Sequence, residues 1–312
     1  MSAWLPTAPC TPGGCVAGAA AGPTVAAPRR VLRLVALLTV LLLGIAAAPV
    51  VRVWRRPLPP LPVERLVRSW ARLLLGALGI RVRAGRVPPA SGAALMVANH
   101  ISWLDILLVA AVRPGRMLAK TEVGRWPLLG PVTAWGGTVY IDRDRLRALP
   151  RTVAEVAAAL TAGERVVVFP EGSTWCGRYG GRFRPALFEA AVRSGAAVQP
   201  MVITYRLADG RETTAPAFVG EDGLLPSLWR VAAVRGLEAE LELCPPIPGG
   251  THPDRRSLAT AAQAAVDAQR FPTGPAGRTC AESHPPVPAP RRPGPDGGAP
   301  RPVGANTPSR MI

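Results

Sequence analysis

Between about Ile80 and Gln269, short apolar runs alternate with helical patterns, and this alternation limits the fold more than any other feature of the chain. Strand candidates lie at 94–98, 116–119, 138–141, 164–169 and 197–204. Helix candidates lie at 103–112, 150–162, 185–194, 224–235 and 255–269. Pro150 at a helix start and Gly163 and Gly195 at helix ends agree with capping preferences. Strands separated by helices pair in parallel, because each helix carries the chain back across the sheet. An α/β domain with a mainly parallel sheet and flanking helices is therefore expected over 79–270. Ligand sites in such sheets gather where strands end and loops begin.

One strand end stands out. Residues 99–106 read NHISWLDI, with His100 and Asp105 five apart. Within one helix five residues turn through about 500°, which leaves the two side chains roughly 140° apart. They meet only if His100 lies in the turn and Asp105 in the first helical turn. Ser102 as N-cap and Asp105 at N3 form a variant of the capping box. The apolar run Ile106–Val109 follows, and the RPG at 113–115 ends the helix. The octapeptide therefore fits a reactive pair, but taken alone it fits better a strand end followed by a capped helix.

Three further strand ends carry unusual residues. GGTVYIDRD (136–144) ends with Asp142 and Arg143 near its close, and VQPMVITY (198–205) places Pro200 inside a strand pattern. A proline lacks the N–H that a ladder needs, so Pro200 is expected at an edge or a bulge. ERVVVFPEGSTWCGRYGGRFRP (164–185) passes from Glu171 and Gly172 into a loop where glycines alternate with Arg178, Arg182 and Arg184. Glycines let backbone N–H groups approach a ligand, and arginines clamp phosphate in bidentate fashion. A P-loop is excluded, since no G-x-x-x-x-G-K-[ST] occurs and Lys120 is the only lysine.

The formal charge of +17 points to anionic partners. Without interleaved aromatics, a helix-turn-helix or a zinc signature, nucleic acid is not among them. Cys10, Cys15, Cys176, Cys244 and Cys280 are scattered and odd in number, which suggests neither a disulfide framework nor a zinc site. His252 and His284 lie in Pro-rich surroundings, so a histidine metal cluster is not expected either.

The N-terminal part reads differently. Residues 1–28 are rich in Ala, Gly, Pro and Thr and are expected to stay unfolded, as is the Pro/Gly-rich tail 271–312. LVALLTVLLLGIAAAPVV (34–51) carries no charge and is flanked by arginines, marginal in length for a span of about 20 residues. Residues 63–80 set Leu66, Trp70, Leu73 and Leu74 on one helical face and Arg65, Arg68 and Arg72 on another, as an interfacial helix does. A soluble helix packed on the core fits this segment almost as well. Residues 29–78 are read as a membrane-associated helical hairpin that precedes the domain.

Taken in order, His-x4-Asp (His100, Asp105), GTVYIDR, FPEGST and VQPMVI resemble the four-block signature of the glycerolipid acyltransferase family. The best-known members are bacterial 1-acylglycerol-3-phosphate acyltransferases. The resemblance covers roughly residues 62–245 and takes in KTEVGRWPLLG at 120–130. It implies acyl transfer from acyl-CoA or acyl-carrier protein to the hydroxyl of a lysophospholipid, with phosphatidic acid as the expected product and no cofactor. His100 would be the general base and Asp105 its orienting partner. Arg143 would meet the acceptor's phosphate, and Glu171 and Gly172 would help hold the acceptor with Ser173 and Thr174 nearby. The third block has Ser-Thr where many members have Thr-Arg or Ser-Arg, so its basic role falls to Arg178, Arg182 or Arg184. Another acceptor, such as lyso-ornithine lipid, is the close alternative. A non-catalytic protein that binds anionic membranes through its arginines is the distant one. The expected location is the inner membrane, with the catalytic domain on the cytoplasmic face.

Overall fold

The computed structural model describes residues 8–16, 22–54, 63–85, 87, 89–126, 130, 133, 136–142 and 146–271. Among these, helices α1 (Pro12–Cys15), α2 (Ala27–Trp54) and α3 (Val63–Ala77) precede strand β1 (Arg81–Ala84). Then follow β2 (Ala94–Ala98), α4 (Leu104–Val112), β3 (Arg116–Lys120), β4 (Val139–Ile141) and α5 (Leu149–Thr161). The domain closes with β5 (Arg165–Val168), α6 (Phe188–Ser194), β6 (Ala197–Leu207), α7 (Leu224–Ala233), β7 (Leu237–Leu243) and α8 (Arg255–Arg270). The seven strands form one sheet in the order β1-β7-β6-β2-β5-β3-β4. Five of its six pairings are parallel, and β6 with β7 is antiparallel. The sheet is mixed but mainly parallel, as the alternation requires.

Strand β2 is central and buried along its whole length, as a strand covered on both faces must be. Leu95 and Val97 point into one apolar cluster with residues of α5, α6 and α8. Met96 and Ala98 point into the other, with residues of α3, α4 and α7. The alternation places the next residues, Asn99 and His100, at the carboxyl end of the most buried strand. Asn99 is itself fully buried. Its amide accepts the Ile203 N–H at 2.8 Å and donates to the Ile203 carbonyl at 3.0 Å. A side chain thus extends the ladder with β6 after the backbone of β2 has turned away.

Pro200 corrects the expectation of an edge or bulge, for β6 runs between β2 and β7. It faces the point where β7 ends, and the Cys244 N–H reaches the Pro200 carbonyl at 3.0 Å. An antiparallel pair would return a hydrogen bond from residue 200 to the Cys244 carbonyl. The Gln199 side chain supplies it instead, at 2.6 Å. A neighbouring amide thus makes an interior proline tolerable.

Residues 8–16 and 22–26 correct the expectation that 1–28 stays unfolded. The Thr214 hydroxyl donates to the Cys15 carbonyl at 2.7 Å, and Thr24 forms an antiparallel bridge to Val234. Val25 N–H donates to the Ala233 carbonyl and Arg235 N–H to that of Pro23, each at 2.8 Å. Small residues with prolines lack helical period, but they suit a strap laid along a surface with free backbone groups.

Helix α2 contains a candidate span, Ala27–Ala47, which opens on Arg29, Arg30 and Arg33 and whose 18-residue apolar window has a mean hydropathy of 2.2 with only 6% of it buried. At 1.5 Å per residue the whole span is about 31 Å long, enough to cross a bilayer core of about 30 Å. Its first turns meet the domain, where Arg33 Nη1 donates to the carbonyls of Ala232 and Val234, both at 2.8 Å. Helix α3 combines both sequence readings. Ala71, Leu74 and Leu75 are buried in the core, which stabilises the fold by roughly 1.5–3 kcal/mol for each leucine. Leu66 and Leu73 remain exposed, as do Val31, Leu32, Val35, Leu38, Leu42 and Leu43 on α2. Trp70 Nε1 donates to the Val40 carbonyl at 3.0 Å and holds the two helices together.

Candidate active site

The loop after β2 folds back on Asp105, in the first turn of α4. The helix begins at Leu104, one residue later than a Ser102 cap would place it, and the Ser102 hydroxyl accepts the Leu104 N–H at 3.3 Å. Asp105 is fully buried. Its Oδ2 accepts the N–H groups of Ile101 at 2.6 Å and Ser102 at 2.9 Å, and meets His100 Nδ1 at 2.8 Å. Its Oδ1 accepts the Tyr205 hydroxyl at 2.6 Å. Turn closure and the His100–Asp105 pair are therefore one arrangement, since a single carboxylate makes both.

With Asp105 as a carboxylate, these contacts assign the histidine tautomer by hydrogen-bond accounting. The two backbone groups can only donate, and an ionised carboxylate can only accept. Tyr205 is held as a phenol, because burial, then the neighbouring Asp105, pushes its hydroxyl well above its ordinary value of 10. Nδ1 must then carry the ring proton and donate it to Oδ2, which leaves Nε2 with its lone pair. The side chain is 15% exposed, enough for a small group to reach it. Phe169 stacks on the ring at 4.1 Å between centroids and 11° between planes. The ring is thus fixed by a carboxylate at one edge and an aromatic face on one side.

Tyr205 had no place in the sequence reading, because it lies a hundred residues from Asp105 within an ordinary strand pattern. Only the register of β6 alongside β2 brings the two together. Tyr205→Phe removes one hydrogen bond to a buried charge and is expected to lower turnover roughly tenfold. Steady-state rates with unchanged circular dichroism check this.

Glu171 follows β5, the parallel neighbour of β2. Its Oε2 accepts the His100 N–H at 2.8 Å and its Oε1 the Gly181 N–H at 3.0 Å. Trp175 N–H donates to the His100 carbonyl at 2.7 Å, so the third block grips the backbone of the first from both sides. Glu171 is 4% exposed, with both oxygens turned inward. Its expected part in holding an acceptor is therefore indirect, through the loop that it shapes. Arg270 also escaped the sequence reading, standing at the last turn of a helix just before the tail. Its side chain is buried, 3.8 Å from Glu171 Oε1, and its Nη2 donates to the carbonyls of Gly177 at 2.7 Å and Tyr179 at 2.9 Å.

Burial pushes the Glu171 carboxyl up from its ordinary 4.5 to about 7, against the pull of Arg270 and of the His100 and Gly181 N–H groups. Between these two values the folded protein holds a proton that the unfolded chain has released. Stability therefore falls as pH rises from about 4.5 to 7 and levels off above, by up to about 3 kcal/mol. Urea denaturation at pH 5 and pH 7.5 checks the direction, and Glu171→Gln is expected to flatten the slope.

The other site residues divide by position. Gly172 takes a φ of 75°, which turns the chain after Glu171 and suits glycine. Its neighbour Ser173 is half-buried. The Thr174 hydroxyl donates to the Phe218 carbonyl and so braces the loop. Arg178, Arg182 and Arg184 are exposed on the same loop. Arg143 lies outside the described residues.

The chain is similar to several known proteins. Residues 79–204 match the model of the family described as Acyltransferase. A lyso-ornithine lipid O-acyltransferase of Pseudomonas aeruginosa is 37% identical over 251 residues, 78% of this chain and 95% of that protein. A 1-acyl-sn-glycerol-3-phosphate acyltransferase of Neisseria meningitidis is 34% identical over 180 residues, 57% of this chain and 70% of that protein. Among solved structures, the 1-acyl-sn-glycerophosphate acyltransferase PlsC of Thermotoga maritima superposes with a TM-score of 0.59 at 19% identity. That superposition covers 78% of this chain and 96% of the Thermotoga protein, and it shows a shared fold.

Proposed function

Because this chain belongs to the acyltransferase family, we propose that it moves a fatty acyl group from an acyl thioester to the free hydroxyl of a lysophospholipid. The acceptor in this reading is 1-acylglycerol-3-phosphate and the product phosphatidic acid. The observation that carries it is the accessible imidazole with its Nδ1 edge held by buried Asp105.

The acceptor hydroxyl donates to Nε2 of His100. As its oxygen attacks the thioester carbonyl, Nε2 takes the proton, and the imidazolium that forms faces the Asp105 carboxylate. Collapse of the tetrahedral adduct breaks the C–S bond, and His100 returns the proton to the leaving thiolate. General-base help of this kind is worth about 10²–10⁴ in rate. No enzyme nucleophile is needed. The donor is acyl-CoA or acyl-carrier protein. Arg178, Arg182 and Arg184, with Arg143, supply positive charge for the acceptor's phosphate. Helix α2 and the exposed leucines of α3 rest the protein on the membrane, where a lysolipid reaches the site from the leaflet. A cytosolic thioester puts the catalytic domain on the cytoplasmic side of the inner membrane.

Lyso-ornithine lipid is the alternative acceptor, since relatives named for it and relatives named for 1-acyl-sn-glycerol-3-phosphate are both similar to this chain. Purified full-length protein, given acyl-CoA or acyl-carrier-protein donors and a panel of lysolipids, decides between them. Preference for lysophosphatidic acid supports the first acceptor and preference for lyso-ornithine lipid the second. Inactivity toward all of them would contradict the function.

A further inference from the structure

Cys10, Cys15 and Cys176 are far apart in the sequence, yet the fold gathers them. The sulfurs all lie within 4.8 Å of one another, and all three residues are buried. No disulfide joins them. Tetrahedral zinc thiolate geometry, with Zn–S near 2.3 Å, calls for sulfurs about 3.8 Å apart, within an ångström of this arrangement. The surroundings also suit thiolates. Backbone N–H groups of Arg178 and Tyr179 point at the Cys176 sulfur, which the thiols of Cys10 and Cys15 also reach. Gly177, at φ 95°, makes the turn that brings those two N–H groups round. Such N–H donors are the outer-shell contacts that steady metal-bound thiolates. Spacing along the chain gave no hint of the site, because one ligand comes from the active-site loop and two from the strap.

We infer that Cys10, Cys15 and Cys176 form a binding site for a thiophilic divalent ion such as Zn2+, which staples the N-terminal strap to the loop behind His100. On binding, the thiols release their protons to solvent and three Zn–S bonds form, with water in the fourth position. The staple matters to the site because Trp175, next to Cys176, holds the His100 carbonyl.

Full-length protein, purified without chelator from zinc-supplemented cells by a tag that carries no metal, should contain one zinc per chain by mass spectrometry. Exchange for Co2+ should give the near-ultraviolet thiolate-to-cobalt bands and the strong visible bands of a tetrahedral site. Cys10→Ser, Cys15→Ser and Cys176→Ser should each lose the ion, whereas Cys244→Ser, at a buried cysteine outside the cluster, should keep it. The cobalt spectrum of the unaltered protein decides the matter even if a variant fails to fold. Absence of metal and of cobalt bands, metal that survives all three substitutions, or a Cys10–Cys15 disulfide in the purified protein would each overturn the inference.

Discussion

His100→Ala is expected to lower the rate of acyl transfer by about 10²–10⁴ and to leave the fold and any attachment to membranes in place. The size follows from the chemistry, since a lipid alcohol is a poor nucleophile until a base takes its proton. The persistence follows from the contacts. His100 is tied into the fold through its backbone, by Glu171 at the N–H and Trp175 at the carbonyl, and alanine keeps both. Asp105 loses one of its four hydrogen-bond partners and retains Ile101, Ser102 and Tyr205. Initial rates with a lysolipid acceptor, beside vesicle co-sedimentation, separate this account from that of a non-catalytic membrane binder. A binder would tolerate His100→Ala and fail when Arg65, Arg68 and Arg72 are replaced.

The second large effect is at Asp105, where two substitutions should part company. Asparagine can place its oxygen where Oδ2 stood and go on accepting the Ile101 and Ser102 N–H groups and Nδ1–H. Its amide nitrogen then faces the Tyr205 oxygen, which can turn and accept. The fold should survive, with no buried carboxylate left to balance the imidazolium that the proposed proton transfer would form. At an effective dielectric constant of about 20 a charge pair some 4 Å apart is worth about 4 kcal/mol, so Asp105→Asn should cost about 10²–10³ in turnover. Alanine leaves buried donors unsatisfied, at about 1–3 kcal/mol each. Asp105→Ala should therefore melt well below Asp105→Asn, as differential scanning fluorimetry would record. Equal stability with equal activity loss would mean that the carboxylate only closes the turn.

Much of this site could be read along the chain, because its parts are local. The His-x4-Asp spacing brings a turn and a first helical turn together without help from the rest of the fold. The residues that complete it are remote. Tyr205, Asn99 and Arg270 act across strands or from a distant helix end, and each looks ordinary in its own segment. The same holds for the fold. Strand β7 reads LEAELEL, a period-two pattern that belongs to a strand but was not among the candidates, and β1 reads RVRA with little apolar character. Beside the parallel ladder that joins these two strands, Glu238 of β7 is buried against Arg83 at 2.6 Å and Arg81 at 3.6 Å. Such partnering is invisible until the pairing is known. The strap was misread for a similar reason, since its binding energy comes from backbone groups and buried cysteines supplied by both sides.

The state of the His100 ring itself is the most direct check. Nitrogen-15 spectra of protein labelled at histidine, with His100→Gln to assign the signal among the three histidines, report which ring nitrogen carries the proton when the imidazole is neutral. The account predicts a protonated Nδ1 and a bare Nε2. A proton on Nε2, with Nδ1 bare beside the Asp105 carboxylate, would contradict it.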